Sequence, residues 1–351
     1  MLPCISLCGS HDRGFGTALK AKSRRIRILK KIAIAVCTCA LVLAVLIAAA
    51  LKSRALLRTA FDGRPSQTEE EAAVSRFDMK AEMTKAQTQP RISGWLSVLS
   101  SEDVAVRSER GMLCGQVFPP LYGDPDAPWA ILFHGGAGTD GSQMLDVACE
   151  LSLAGYRVLV PDLYAHGKSD GELSSLGAAD AQDVLTWVDW VLGEKPDARI
   201  VLMGQDEGAL AVLLAQEKGL PQAVAAVAAE SPTLDIPQIA KETLEDAGES
   251  VGALEEALLG AAYRLAFGEK LERIDEAQLA GSDEPTLLFA GTLDEQSPAY
   301  GAQDIAAAMG SRAQVCLIEG ATHGMARYVD PEQYYDTLLA FFREQLEANE
   351  P

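Results

Sequence analysis

The 351-residue sequence predicts an α/β fold: a mostly parallel sheet with helices on both faces, a small helical cap, and one transmembrane helix ahead of it. Three patterns lead there. From Trp95 onward, short apolar runs alternate with helical stretches, the order expected when strands lie parallel and helices carry the chain back. From Thr233 to Asp283 the alternation stops and only helix-forming sequence remains, as an insertion over the sheet would read. Ile32 to Leu51 is twenty residues without a charge, which as helix spans roughly 30 Å, the depth of a bilayer core.

Residues 1–31 carry eight basic side chains against Asp12 alone, so they hold +7 of a chain whose net charge is −20 and leave −27 for the rest. So acidic a body repels phosphate backbones, which argues against a nucleic acid partner. The basic head has another use. Lys30 and Lys31 precede the apolar run, and Lys52, Arg54 and Arg58 follow it. The denser positive cluster is N-terminal, which predicts a cytoplasmic N-terminus, a single pass through the cell membrane over 32–51, and an extracytoplasmic body. Cleavage near Ala48-Ala49-Ala50 is the competing reading, but the run is longer than the apolar part of a usual signal peptide.

Residues 52–90 are polar, with Glu69-Glu70-Glu71 among them, and read as a partly helical stalk. The body then occupies 91–351. Val104–Arg107 and Met112–Val117 read as a hairpin that gives the sheet a mixed edge. Ala130–Phe133, Tyr156–Val160, Ile200–Met203, Ala223–Ala229, Thr286–Ala290 and Gln314–Ile318 read as strands. Ser142–Ala154 and Ala178–Leu192 read as helices between them, and Ile239–Ala247 and Leu254–Phe267 as the helices of the cap at 233–283. The cap's acidic residues, Glu242 to Glu256, read as a solvated face. Trp187 and Trp190 read as packing residues. Cys114, Cys149 and Cys316 allow one disulfide at most, and no cysteine or histidine spacing suggests a metal.

The chemistry concentrates at strand ends. Gly204-Gln205-Asp206-Glu207-Gly208 has the glycine frame of a sharp strand-to-helix turn that exposes a nucleophile, with aspartate where serine is usual. Phe133-His134-Gly135-Gly136 ends an earlier strand. Pro161 to Ser169 forms a further turn, Gly291-Thr292-Leu293-Asp294 follows a later strand, and Gly320-Ala321-Thr322-His323-Gly324 follows the last. The body's three histidines each fall in one of these motifs. Nucleophile, acid, then histidine is the chain order such a site requires. His134 and His166 read as loop braces, and Asp170, Asp180 and Asp183 as a solvated face.

From about Trp95 to Phe342 the chain resembles the α/β-hydrolase superfamily, and more narrowly the bacterial membrane-anchored hydrolases related to serine aminopeptidases and acylglycerol lipases. Ala165 stands where that group's D-x-x-G-H-G-x-S turn has its first glycine. The resemblance implies an α/β-hydrolase fold with Asp206, Asp294 and His323 as the catalytic set. It also implies an oxyanion hole from the Gly136–Ala137 loop and the Glu207 N–H, and no cofactor. Aspartate at the elbow also occurs in the superfamily's epoxide hydrolases and haloalkane dehalogenases, where the carboxylate displaces a group from saturated carbon. Three details differ from those branches. Glu207 follows the aspartate, where a second carboxylate would oppose a departing anion; the oxyanion loop lacks their proline; and the cap offers Tyr263 alone as a proton donor.

The sequence therefore supports a hydrolase with an Asp-His-Asp triad acting on a small ester, epoxide or related substrate. Weak or unusual ester or amide hydrolysis is the neighbouring reading. The non-enzymatic alternative is a surface protein that binds a cell-envelope ligand, in which Asp206 and Asp294 hold His323 as a fixed cation that cannot act as a base.

Overall fold

The computed structural model describes residues 12–63, 76–136, 139–281 and 283–349. The chain divides into two compact units, Met1–Ala55 and Leu56–Pro351. Helix α1 (Asp12–Phe61), which begins in the first unit, carries the apolar run, whose side chains are exposed apart from half-buried Ala49. Among the described residues it is the one helix long and apolar enough to cross a membrane, a property that a signal sequence shares.

The second unit begins with the last turns of α1 and helix α2 (Arg76–Val98). Strands β1 (Glu102–Arg107) and β2 (Met112–Phe118) form an antiparallel hairpin, and β2 pairs antiparallel with β4. Then come β3 (Trp129–Phe133), α3 (Leu145–Leu153), β4 (Arg157–Pro161), α4 (Ala181–Glu194), β5 (Ile200–Gln205), α5 (Glu207–Lys218) and β6 (Val224–Glu230). Helices α6 (Ile236–Asp246) and α7 (Ala253–Phe267) follow, then β7 (Thr286–Gly291), α8 (Ala299–Met309), β8 (Ala313–Ile318), the short α9 (Ala326–Val329) and α10 (Pro331–Ala348). The eight strands lie in the order β1-β2-β4-β3-β5-β6-β7-β8, parallel from β4 to β8.

The strand sequences explain this burial. Successive side chains point to opposite faces, so a strand covered on both sides must be apolar at every position. On β3, Trp129, Ile131 and Phe133 join one core with α4 to α8, while Ala130 and Leu132 join the other with α2, α3, α9 and α10. Trp187 is buried and stacks edge-on with Trp190, as packing residues do. Cys114, Cys149 and Cys316 are free thiols.

Two expectations need correction. Residues 52–90 are not a free stalk: Leu56, Leu57, Ala60 and Phe61 are buried in the first core, and Ala81 in the second. Polar residues between them hid a helical face that is apolar only where it packs. Beyond residue 63, the acidic run Glu69-Glu70-Glu71 lies outside the described residues. Asp180 and Asp183 are likewise not a solvated face, because both are buried and clamp the Arg110 guanidinium. In the cap, Ile236, Ala240 and Leu244 face inward at helical spacing, which leaves Glu242, Glu245 and Asp246 on the solvated side.

Candidate active site

Asp206 sits at the junction of β5 and α5 with φ 51° and ψ −111°, a backbone conformation that non-glycine residues rarely adopt. The two flanking glycines permit it. A methyl group on Gly204 would collide with the Gly208 carbonyl, and one on Gly208 with the carbonyls of Phe133 and His134. The sharp turn holds the Asp206 side chain above the ends of the strands.

The other two members arrive on the turns after β7 and β8. These turns are bound to each other: Leu293 N–H donates to the Ala321 carbonyl at 2.9 Å and Gly320 N–H to Thr292 Oγ1 at 2.9 Å. Asp294 Oδ1 accepts N–H groups from Gln296 (3.1 Å) and Ser297 (2.8 Å), which fixes the carboxylate. His323 Nδ1 then lies 3.1 Å from both Asp294 oxygens, so that nitrogen carries the proton and Nε2 is turned toward Asp206. The Nε2 to Asp206 Oδ1 distance is 3.5 Å, an ion-pair contact longer than a good hydrogen bond. The three predicted catalytic residues thus come together in one row.

The site's charges lock each other. Burial alone would lower the His323 pKa, but Asp206 and Asp294 on either side outweigh it and push it up to about 10. Burial works against ionising Asp206 too; His323, the Thr233 hydroxyl at 2.7 Å and the Gly136 backbone N–H nevertheless hold it below the usual carboxylate range. At neutral pH the resting pair is therefore a carboxylate and an imidazolium.

The oxyanion loop is placed only in part. Gly136, at φ 80°, presents its N–H to the Asp206 carboxylate, while Ala137 lies outside the described residues. Glu207 opens α5, and first-turn N–H groups of a helix have no intrahelical acceptor. Its side chain corrects the expectation of a second anion in the cleft. The Glu207 carboxyl is buried in the core, accepts the Ser174 hydroxyl at 2.7 Å, and is pushed up to about 8 by burial and then by Asp206. It is a protonated acid at neutral pH.

The remaining histidines brace loops, as expected. His134 Nε2 accepts the Leu163 N–H and its Nδ1 faces Thr139 Oγ1, both at 3.0 Å; burial pushes its pKa down to about 3. His166 Nδ1–H donates to the Tyr164 carbonyl at 3.0 Å. Asp162 ties its own turn by accepting N–H groups from Gly141 and Lys168. Ala165 takes φ 68° there, the left-handed conformation for which glycine is the ordinary choice. Tyr263 is buried and donates its hydroxyl to the Ser175 carbonyl at 3.0 Å, so the cap's tyrosine is committed to packing.

Residues that sequence reasoning missed support the site from below and from the side. Arg327 is buried and pairs with Asp146 at 2.7 Å and Glu230 at 3.0 Å. The same guanidinium donates to Gln205 Oε1, whose amide in turn donates to the Gly324 carbonyl, linking the elbow to the histidine turn. A cleft of about 450 Å³ opens beside Asp206 and His323. Its outer wall comes from Lys85, Gln89 and Ile92 of α2; among the described residues, none of α6 or α7 lines it. The helical insertion therefore does not roof this cleft.

Comparison with known proteins agrees with the fold. The alpha/beta hydrolase fold family matches residues 128–257. An uncharacterized protein of Mycobacterium tuberculosis is 27% identical over 249 residues, covering 70% of this chain and 80% of its own. An esterase of Pyrococcus furiosus superposes with a TM-score of 0.56 at 20% identity, over 74% of this chain and 96% of that one. A membrane phospholipase A described as a bacterial virulence factor superposes at 0.51 and 19% identity, over 76% and 92%. With its sheet order, its elbow and these matches, the chain is an α/β-hydrolase-fold protein.

Proposed function

We propose that the protein is a membrane-anchored hydrolase in which the Asp206 carboxylate is the nucleophile, His323 the base and Asp294 the group that orients it. The observation that carries this reading is the strained elbow: Asp206 is held at positive φ, 3.5 Å from a histidine backed by a second, fixed carboxylate. Such backbone strain costs on the order of 1–3 kcal/mol and is characteristic of functional positions.

The chemistry follows from the charges. Asp206 is ionised and needs no base to attack a saturated carbon; the new C–O bond forms as the leaving group departs with its electron pair. Esterified Asp206 has no charge, so His323 loses one of the two carboxylates that keep it protonated. Its pKa falls, it gives up its proton to the departing group or to solvent, and the neutral imidazole can then take a proton from water. That water attacks the Asp206 carbonyl, and the developing oxyanion faces Gly136 and the first turn of α5. Collapse releases the alcohol and restores the carboxylate and imidazolium. The substrate class is a small ester, epoxide or related molecule with a displaceable group.

The same ion cluster favours a second reading. In the resting site the donors from Gly136, Thr233 and His323 are all directed at Asp206 itself, a fixed ion cluster suited to a surface protein that binds a cell-envelope ligand in the adjoining cleft without turning it over. For both readings, residues 32–51 are the anchor in the lipid bilayer, with the N-terminus in the cytoplasm and the body outside. The test is hydrolysis of a panel of short-acyl esters, epoxides and haloalkanes by the wild type and by Asp206→Asn. Turnover lost in the variant is expected; turnover that survives in it would reject the nucleophile, and background rates for both would favour the binding protein.

A further inference from the structure

Helix α7 exposes an apolar stripe that no part of the described structure covers. Leu254, Ala257, Ala261 and Leu265 are all exposed and follow one another at helical spacing, Leu254 67% and Leu265 90% exposed, while Leu258 between them packs in part against the core. The opposite side of α7 is fully engaged, with Tyr263 4.9 Å and Phe267 6.1 Å from the Phe61 ring. A surface helix with one apolar side buried and another left bare requires a second apolar neighbour.

The identity of that neighbour follows from Phe61, the last residue of α1. Leu56, the first residue of the body to be buried, lies five residues beyond Leu51, the end of the uncharged run. Even fully extended, five residues reach only about 17 Å. The chain also enters the body at the edge of the sheet that carries the candidate site: Ser174 N–H donates to the Phe61 carbonyl, and Gly63 N–H to that of Glu172, on the loop after β4. Lys52, Arg54 and Arg58, all basic, occupy the same junction, as is usual at a phospholipid surface.

Building on the anchoring reading above, we infer that the α7 stripe docks on the phospholipid bilayer, holding the site edge of the body against the membrane surface. A short tether makes this contact effectively intramolecular, so a stripe of four small and medium apolar residues suffices where it would bind weakly from solution.

The experiment uses the full-length chain in vesicles of phosphatidylcholine and phosphatidylglycerol, with p-benzoylphenylalanine replacing Leu265, Leu43 or Tyr122 one at a time. Tyr122 is an exposed residue in the turn before β3, at the opposite end of the strands. After irradiation, intact mass is expected to rise by one phospholipid for the probes at 265 and 43 and not at 122. A probe at 265 that yields a cross-linked second copy, or no adduct, while 43 still labels would overturn the docking and leave the anchor standing. Equal labelling at 265 and 122 would also overturn it, as unspecific adsorption. No lipid adduct at 43 would reject the anchor, and the docking with it.

Discussion

His323 concentrates the chemical problem of this site. A histidine titrates near 6.5 in an unfolded chain and at about 10 between Asp206 and Asp294. Its pairing therefore contributes stability that is complete below pH 6.5 and is lost as pH rises through 10. With four histidines in the chain, NMR titration resolves it; Asp206→Asn is expected to bring its pKa back toward the ordinary range, and an unchanged high value would contradict the ion pair. Glu207 has the opposite sense. Its carboxyl keeps its proton to about pH 8 in the fold, against 4.5 when unfolded, so the protein is expected to lose stability as pH rises across that window. Glu207→Gln retains the Ser174 contact and is expected to flatten this slope in thermal denaturation measured at several pH values. The grouping of Asp206, Asp294 and His323 was legible because each sits in a short turn motif with its own glycines. The Glu207 side chain was not, since sequence shows that it follows Asp206 but not that the helix turns it into the core.

Among the elements, the elbow and the strands could be read locally, because two glycines and a run of apolar residues act on their immediate neighbours. The support beneath the elbow could not. Arg327 stands 181 residues from Asp146 and 97 from Glu230, and only the folded sheet brings them together. Removing one partner of such a buried cluster leaves charges without compensation, a loss of about 3–5 kcal/mol. Arg327→Met is expected to show it in urea denaturation, and a change within 0.5 kcal/mol, the ~0.5 kcal/mol scatter of neutral surface substitutions, would mean that Asp146 and Glu230 find other partners. The cleft wall was hidden for a related reason: α2 lies in a polar stretch whose few buried residues, Ala81, Ile92 and Trp95, are too widely spaced to mark it as part of the body.

For the whole molecule, the sequence placed the start of the hydrolase domain at residue 91, whereas the folded unit starts at Leu56. Burying Leu56, Leu57 and Phe61 contributes roughly 1.5–3 kcal/mol each. A chain beginning at Leu56 is therefore expected to be several kcal/mol more stable in urea than one beginning at Arg91, and equal midpoints would show that these residues add nothing. The same shift of boundary leaves only four residues, 52–55, between the apolar run and the body, so the proposed anchor and the proposed reaction are close in the chain.

In the proposed mechanism Asp206 forms a covalent bond to substrate which His323 is needed to break. Intact mass of His323→Gln, mixed with a substrate that the wild type turns over, tests it directly. The expected result is a stable adduct of the substrate's alkyl portion on Asp206, absent from the His323→Gln, Asp206→Asn double variant. Unmodified protein under the same conditions would contradict an aspartate nucleophile.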